Sequence, residues 1–466
     1  MYLLSKSKSK SKSKSKSKSK KVIVPSYATT SLYNAHNQIQ LYENSDGTRL
    51  ALMPNKSDAS SISIYFYFKI GSKFEIEEFN GISHYVEHMV YKGASKLKTY
   101  FDISRPLDAA GVTYNAFTAK DMTAYMYKFL ATDENIDLIC KVTTQMLFHS
   151  LFREKDINLE RTVIVQEYND GIDDIDNVID DIIDIEMFKG HPLGMTIIGD
   201  RKSLSNINRR ELIDFYNKHY TLDKLLIGVS GSIPANFLNI LEHYFKKFKP
   251  IDIKTVHPTT LIPFTDNQTK YNLKLFPRSL EQDYINIIFK TGGFFDNNNN
   301  KYKLIQNILG VNMSSRLFVE VREKLGLVYT IKCQLNNYEE IGTFVINMQC
   351  EAKNTVKCID KVLQELVKII KYGITDIELK ENKKNFCDSI ISNFEDIQVK
   401  NEYYCKQILF NKPVVTIKEK VDAMQALTLH DIKQGCEELF NFNKMNIIWF
   451  GKAKLKHIDN IVKKYC

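Results

Sequence analysis

One stretch constrains this chain more than any other: Gly81-Ile82-Ser83-His84-Tyr85-Val86-Glu87-His88-Met89-Val90-Tyr91-Lys92-Gly93. It reads as a helix of about three turns closed by Gly93, a residue suited to the position past a helix end. His84 and His88 are four apart, so their imidazoles lie on one face, one turn above the other. Glu87 sits at the edge of that face. Two imidazoles leave a tetrahedral Zn²⁺ one protein ligand short if a water is to take the fourth position. A carboxylate that does not ligate can then take that water's proton.

A third ligand has to come from elsewhere. Downstream runs Leu159-Glu160-Arg161-Thr162-Val163-Ile164-Val165-Gln166-Glu167. Glu160 and Glu167 are two helical turns apart and share a face. One can ligate while the other braces a ligand histidine. The H-x-x-E-H pattern followed by this pair resembles the pitrilysin-type (M16) inverzincin zinc metallopeptidases, the family of the mitochondrial processing peptidase and insulysin. The resemblance implies His84, His88 and Glu167 as ligands of one Zn²⁺ per chain, Glu87 as the base and Glu160 as the partner of a ligand histidine. It extends further along the chain. Asn115, Ala116, Phe117 and Thr118 look like the family's substrate-pairing edge strand. His191-Pro192-Leu193-Gly194 with Gly199 looks like its HPLG segment. Arg322 and Tyr329 look like its Arg/Tyr pair.

Charge points to no partner. The net charge of +9 comes from a run of Ser-Lys repeats over residues 5–20 with Lys21 behind it. The rest of the chain carries 55 basic and 55 acidic residues, which gives no basis for a nucleic-acid partner. The repeat has a period of two and no apolar residue, so it reads as a disordered tail. No apolar run is long enough to span a membrane. Eight cysteines without a C-x-x-C pair read as reduced thiols of an intracellular protein, in the cytoplasm or the mitochondrial matrix.

Strand and helix signals alternate along the body. Asn44-Ser45-Asp46-Gly47 joins two short strands as a hairpin. The apolar-polar alternation from Ser61 predicts a half-buried strand. Residues 112–118 and 123–129 predict a second hairpin, and residues 135–149 a helix. The Asp-rich residues 170–181 fail the calcium-loop spacing and predict a helix with an acidic face that would attract basic peptides. Prolines at 250, 258 and 263 mark a linker. Beyond it the chain repeats itself weakly. Residues 283–292 echo the strand at 61–71, and residues 325–330 echo 110–115. This division predicts a tail at 1–36, a zinc-binding domain at 37–248, a linker at 249–268 and a metal-free second copy at 269–466. The resemblance implies an α+β fold, with each copy a mostly antiparallel sheet carrying helices on one face.

The implied activity is that of a zinc endopeptidase. An edge strand pairs with a substrate through main-chain bonds, so the substrates are expected to be short or unfolded peptides. Holding both the zinc set and the Arg/Tyr pair, the chain looks like the family's bacterial homodimeric members, whose two subunits close one chamber. Arg322 and Tyr329 would then complete the partner's site. Two alternatives stand beside this: a non-catalytic structural subunit, as in the respiratory bc1 complex, and the catalytic subunit of a heterodimeric processing peptidase.

Overall fold

The computed structural model describes residues 39–55, 60–251 and 263–466. The Ser-Lys tail and most of the expected linker lie outside the described residues. The first half contributes β1 (Gln40–Glu43), β2 (Arg49–Pro54), β3 (Ser61–Phe68), β4 (Thr113–Thr118), β5 (Thr123–Leu130), β6 (Leu225–Gly231) and β7 (Lys249–Pro250). They form a sheet in the order β4-β5-β3-β6-β2-β1-β7. The second half contributes β8 (Asn272–Pro277), β9 (Gln282–Gly292), β10 (Thr330–Asn337), β11 (Ile341–Glu351) and β12 (Asn446–Gly451), in the order β10-β11-β9-β12-β8. Among the described strands the only parallel pairings are β2 with β6 and β8 with β12. Strands β2 to β6 thus match β8 to β12 one by one, in order and in direction. Both predicted hairpins form. Lys249 and Pro250, placed in the linker by sequence, pair with β1 as a last short strand.

The repeat shows in its glycines. Gly111 (φ 64°) precedes β4 and Gly326 (φ 58°) precedes β10, both left-handed, where a side chain would be strained. Helices follow the same order in both halves. Asp133–Phe148, Glu154–Asp173 and Ile175–Met187 correspond to Thr355–Tyr372, Asp376–Asn393 and Ile397–Leu409.

Strand β3 departs from the expected half-burial: from Ile62 to Phe68 every residue is buried. Ile62, Ile64, Phe66 and Phe68 face the first half's own helices. Tyr65 and Tyr67 face the other way, under helix Ile397–Leu409 of the second half. There Tyr67 Oη donates to Asn401 Oδ1 (3.2 Å) and Ser230 Oγ to the Ile397 carbonyl (2.6 Å). The exchange is reciprocal. Helix Ile175–Met187 of the first half lays Ile179, Ile183 and Met187 on Ile288, Val345 and Ile448 of the second sheet. The Asp-rich segment is therefore two helices. The long helix ends at Asp173, and Asp174 caps the next by accepting from the Asp176 amide.

The histidine helix, Ile82–Val90, is seated from both ends. It ends at Val90 rather than at Gly93, which lies in the following turn at φ 132°. At its start, Gly81 (φ 97°) and Gly199 (φ 81°) let two backbones touch. A Cβ on Gly199 would lie 2.2 Å from the Asn80 carbonyl, and one on Gly81 would lie 2.4 Å from the Ile198 carbonyl. The segment after Gly194 thus braces the helix entry. Asn80 Nδ2 donates to the Thr196 carbonyl (2.7 Å) and to Glu75 Oε2 (2.8 Å). Glu75, fully buried, also accepts from the Gly81 and Ser83 amides at 2.7 and 2.8 Å, closing donors that a helix start leaves open.

Two predictions follow from this packing. Gly228 lies where helix Ile397–Leu409 touches the first sheet, and a Cβ there would sit 2.4 Å from both Asn401 Oδ1 and Cys405 Sγ. Gly228→Ala should destabilise the chain by about 2 kcal/mol through overpacking, read as a lowered melting temperature in calorimetry. The second concerns Glu75. Burial raises its carboxyl from 4.5 to about 7, against the pull of its hydrogen bonds. Between those values the folded chain holds the proton that the unfolded chain has lost. This contribution is full below about pH 4.5 and is lost as the pH rises to about 7. The stability gap between wild type and Glu75→Gln should therefore narrow by up to about 3 kcal/mol from pH 5 to pH 8 in denaturant titrations.

Candidate metal centre

Helical spacing stacks His84 over His88, with their Nε2 atoms 3.2 Å apart and ring centroids 4.5 Å apart. Helix Glu154–Asp173 crosses beside them, tied by Tyr85 Oη donating to the Ile157 carbonyl. This brings Glu167 Oε1 to 3.6 Å from His84 Nε2 and Glu167 Oε2 to 3.6 Å from His88 Nε2. The three residues are the only His/Cys/Asp/Glu group among the described residues able to hold a metal ion. A tetrahedral Zn²⁺ with bonds of about 2.0–2.1 Å sets its ligand atoms about 3.3 Å apart, so these spacings fit. Burial, and then His88, push the His84 imidazole down to about 3. The Glu167 side chain is 49% exposed, which leaves an open side to the site.

The second nitrogen of His88 is committed. His88 Nδ1 donates to Glu160 Oε1 at 2.9 Å, which leaves Nε2 facing His84 and Glu167. Glu160 Oε2 pairs with Lys92. Burial alone would raise the Glu160 carboxyl, but hydrogen bonds from His88 and Lys92 outweigh it and hold it below the usual range. At His88 burial opposes charge, and the Glu160 bond and nearby carboxylates outweigh that, raising its pKa.

Glu87 is different. It stands outside that trio, and among the described residues its carboxylate takes one hydrogen bond, from Thr118 Oγ1 at 2.6 Å. Burial raises its carboxyl above the ordinary value. A buried carboxylate with a single neutral donor is poised to take up a proton.

Thr118 ends β4, the outer strand of the first sheet, whose far edge pairs with no described strand. Asn115, Ala116, Phe117 and Thr118 line a cleft of about 850 Å³ together with His84, Glu87, His88 and Glu167. Asp170, Asp174, Asp180 and Asp181 form its acidic end. Arg322 and Tyr329 are not brought to this cleft. The Arg322 guanidinium stacks 4.5 Å over Phe318 and 5.6 Å over Tyr329, and Tyr329 is 75% exposed. Sequence reasoning missed Glu75 and Lys92. Nothing at Glu75 signals its partners. Lys92 could have been noticed as four residues beyond His88, on the side facing Glu160.

Comparisons with known proteins bear on the family and the fold. The family model Insulinase (Peptidase family M16) matches residues 50–201, and the Peptidase M16 inactive domain matches residues 206–386. The chain is 28% identical over 404 residues to the uncharacterized zinc protease YmxG of Bacillus subtilis, covering 86% of this chain and 96% of that one. It is 29% identical over 333 residues to an uncharacterized zinc protease of Streptomyces coelicolor, covering 70% and 71%. In fold it is similar to a protease from Helicobacter pylori (TM-score 0.79, 19% identity, 89% of this chain and 99% of that one). It also resembles half of the periplasmic protease PqqL from Escherichia coli (TM-score 0.78, 15% identity, 92% of this chain and 50% of that one). With both halves matched by domains of one family and the metal-ligand set in the matched first half, this chain belongs to the peptidase family M16.

Proposed function

We propose that this chain is a zinc-dependent endopeptidase of short or unfolded peptides. The observation that carries the reading is Glu87, held by Thr118 at the end of an open edge strand and beside three ligand atoms at metal spacing. Zn²⁺ bound by His84, His88 and Glu167 would supply Lewis-acid activation of a water and of the peptide carbonyl. The chain's own groups do the rest. The outer edge of β4 pairs with an extended peptide and lays its carbonyl over the site. Glu87 takes the proton of the attacking water and passes it to the leaving amine. Glu160 keeps the His88 ring in one tautomer. The aspartates at the cleft's far end favour basic peptides. Residues 37–248 form the zinc-binding unit in this reading and residues 269–466 its metal-free copy. Seven buried, unpaired cysteines accord with a reducing, intracellular setting.

The position of Arg322 and Tyr329 favours a shared site. Both lie outside their own cleft and Tyr329 is exposed, which supports a role in the cleft of a second copy, and a two-fold dimer would make two such sites.

Two experiments test this reading. Glu87→Gln should keep about one Zn²⁺ per chain and lose all peptidase activity, while Glu167→Gln should weaken zinc binding. Metal analysis beside a fluorogenic peptide assay measures both, and full turnover in Glu87→Gln would overturn the assigned role. Mixing inactive Glu87→Gln with inactive Tyr329→Phe should restore activity, since one site of a mixed dimer holds both intact residues. No recovery under proven subunit exchange would show that the site is not shared.

A further inference from the structure

The tip of the β10–β11 hairpin, Tyr338-Glu339-Glu340, packs against the first half, with Glu339 buried and its two neighbours half-buried. It meets the turn Ala119-Lys120-Asp121, which directly follows Thr118. Glu339 accepts from Lys69 Nζ (2.7 Å) and Lys73 Nζ (3.2 Å), and Glu340 pairs with Lys73 (2.8 Å). The Glu339 side chain is wholly buried and Lys73 is 2% exposed. The Glu339 amide donates to Asp121 Oδ2 (3.2 Å). Tyr338 Oη donates to Asp184 Oδ2 (2.6 Å), and Asp184 pairs with Lys120 (3.2 Å).

The turn is thus held on every side. Across from the hairpin tip, the Ser72 and Lys73 amides donate to the Ala119 and Lys120 carbonyls at 3.3 and 2.9 Å. A Cβ on Gly71 would lie 2.1 Å from the Ala119 carbonyl, so there is no slack. The same lysine therefore holds the turn with its backbone and the hairpin tip with its side chain. Strand β4 needs this. Among the described strands it has one neighbour, β5, and its outer edge pairs with none. Its position at Thr118 depends on the turn, and Thr118 makes the one hydrogen bond to Glu87. A buried ionic cluster gains little over apolar packing in stability, but its directional bonds fix position.

We propose that Glu339, with Tyr338, is a positioning residue: the metal-free half sets the substrate strand and, through Thr118, the Glu87 carboxylate of its own chain. This rests on the peptidase reading for its effect on turnover and on geometry alone for its effect on the strand. A displacement of about 1 Å at a catalytic group can cost roughly a hundredfold in rate.

The test uses the full-length zinc-loaded protein and two readouts. In Glu339→Gln, hydrogen exchange of residues 113–123 should rise at least tenfold. On a fluorogenic peptide, kcat should fall at least tenfold while KM stays within threefold and zinc content is unchanged. Combined with Thr118→Val, the losses in kcat should not multiply, because both act through one bond. If Glu339→Gln lowers the melting temperature but leaves exchange and kcat as in wild type, or if the losses multiply, the proposal is overturned. Should Glu339→Gln not fold, Tyr338→Phe removes one hydroxyl and faces the same criteria, at threefold rather than tenfold. A wild-type chain that binds zinc and cleaves no peptide counts against the peptidase reading. The exchange measurement then decides alone whether the tip holds the strand.

Discussion

Each half of the chain covers the other's sheet, and everything at the site depends on that exchange. A sheet whose strands are apolar on both faces cannot stand in water with helices on one side only. Here the missing cover comes from the opposite half: helix Ile397–Leu409 over the first sheet, helix Ile175–Met187 over the second. Burying apolar surface in both directions locks the halves in one relative position. It also gives helix Ile175–Met187 two faces with separate duties. Ile179, Ile183 and Met187 bury against the second sheet, while Asp180 and Asp181 line the cleft. The cleft therefore lies at the seam, and its shape depends on packing from both sides.

Three buried carboxylates surround the histidine helix, and how each is satisfied separates their roles. Glu160 has two cationic or cation-capable donors and stays below the usual carboxyl range. Glu75 has neutral amide donors, and burial carries it to about 7. Glu87 has one hydroxyl. A carboxylate fixed by charged partners is a poor proton carrier because ionisation is already favoured. The least satisfied of the three sits beside the open strand, where the proposed reaction would move a proton. At His84 burial and the nearness of His88 favour the neutral form, whereas at His88 the Glu160 bond and nearby carboxylates outweigh burial and favour the charged one.

What the sequence disclosed was local. Helical spacing put His84 beside His88 and Glu160 in line with Glu167, because i, i+4 and i, i+7 relations hold whatever the tertiary structure. The edge strand carrying Thr118 and the glycines before β4 and β10 were visible for the same reason. What was hidden depends on distant segments. Strand β3 read as half-buried because its second cover lies more than three hundred residues away. The break at Asp174 was hidden in a run of aspartates that all look alike. Glu75 and Glu339 act through backbone amides and lysines that no spacing rule connects to them. Arg322 and Tyr329 were legible as a pair, and their contact is real, but their distance from the cleft is a property of how the halves pack.

The two halves share an order of strands and helices, so the metal site has a counterpart whose content can be read. Helix Asn299–Gly310 occupies the place of the histidine helix, and Asp376–Asn393 that of the helix bearing Glu160 and Glu167. Where those helices meet, the first half has imidazoles and carboxylates, and the second has amides. Asn307 Nδ2 donates to Asn382 Oδ1 (3.0 Å) and Asn385 Oδ1 (3.2 Å), and Asn312 Nδ2 donates to Asn307 Oδ1 (3.2 Å). Amides carry donors and acceptors in equal supply, so they satisfy one another without an ion. Two histidines and a glutamate at the same junction bring their Nε2 and carboxylate atoms to 3.2 to 3.6 Å of one another, a cluster that a proton or a cation relieves. One scaffold thus closes the same helix pair in two ways. In the first half the His84, His88 and Glu167 atoms lie at a spacing that could hold a metal ion, with the outer edge of β4 along the same cleft.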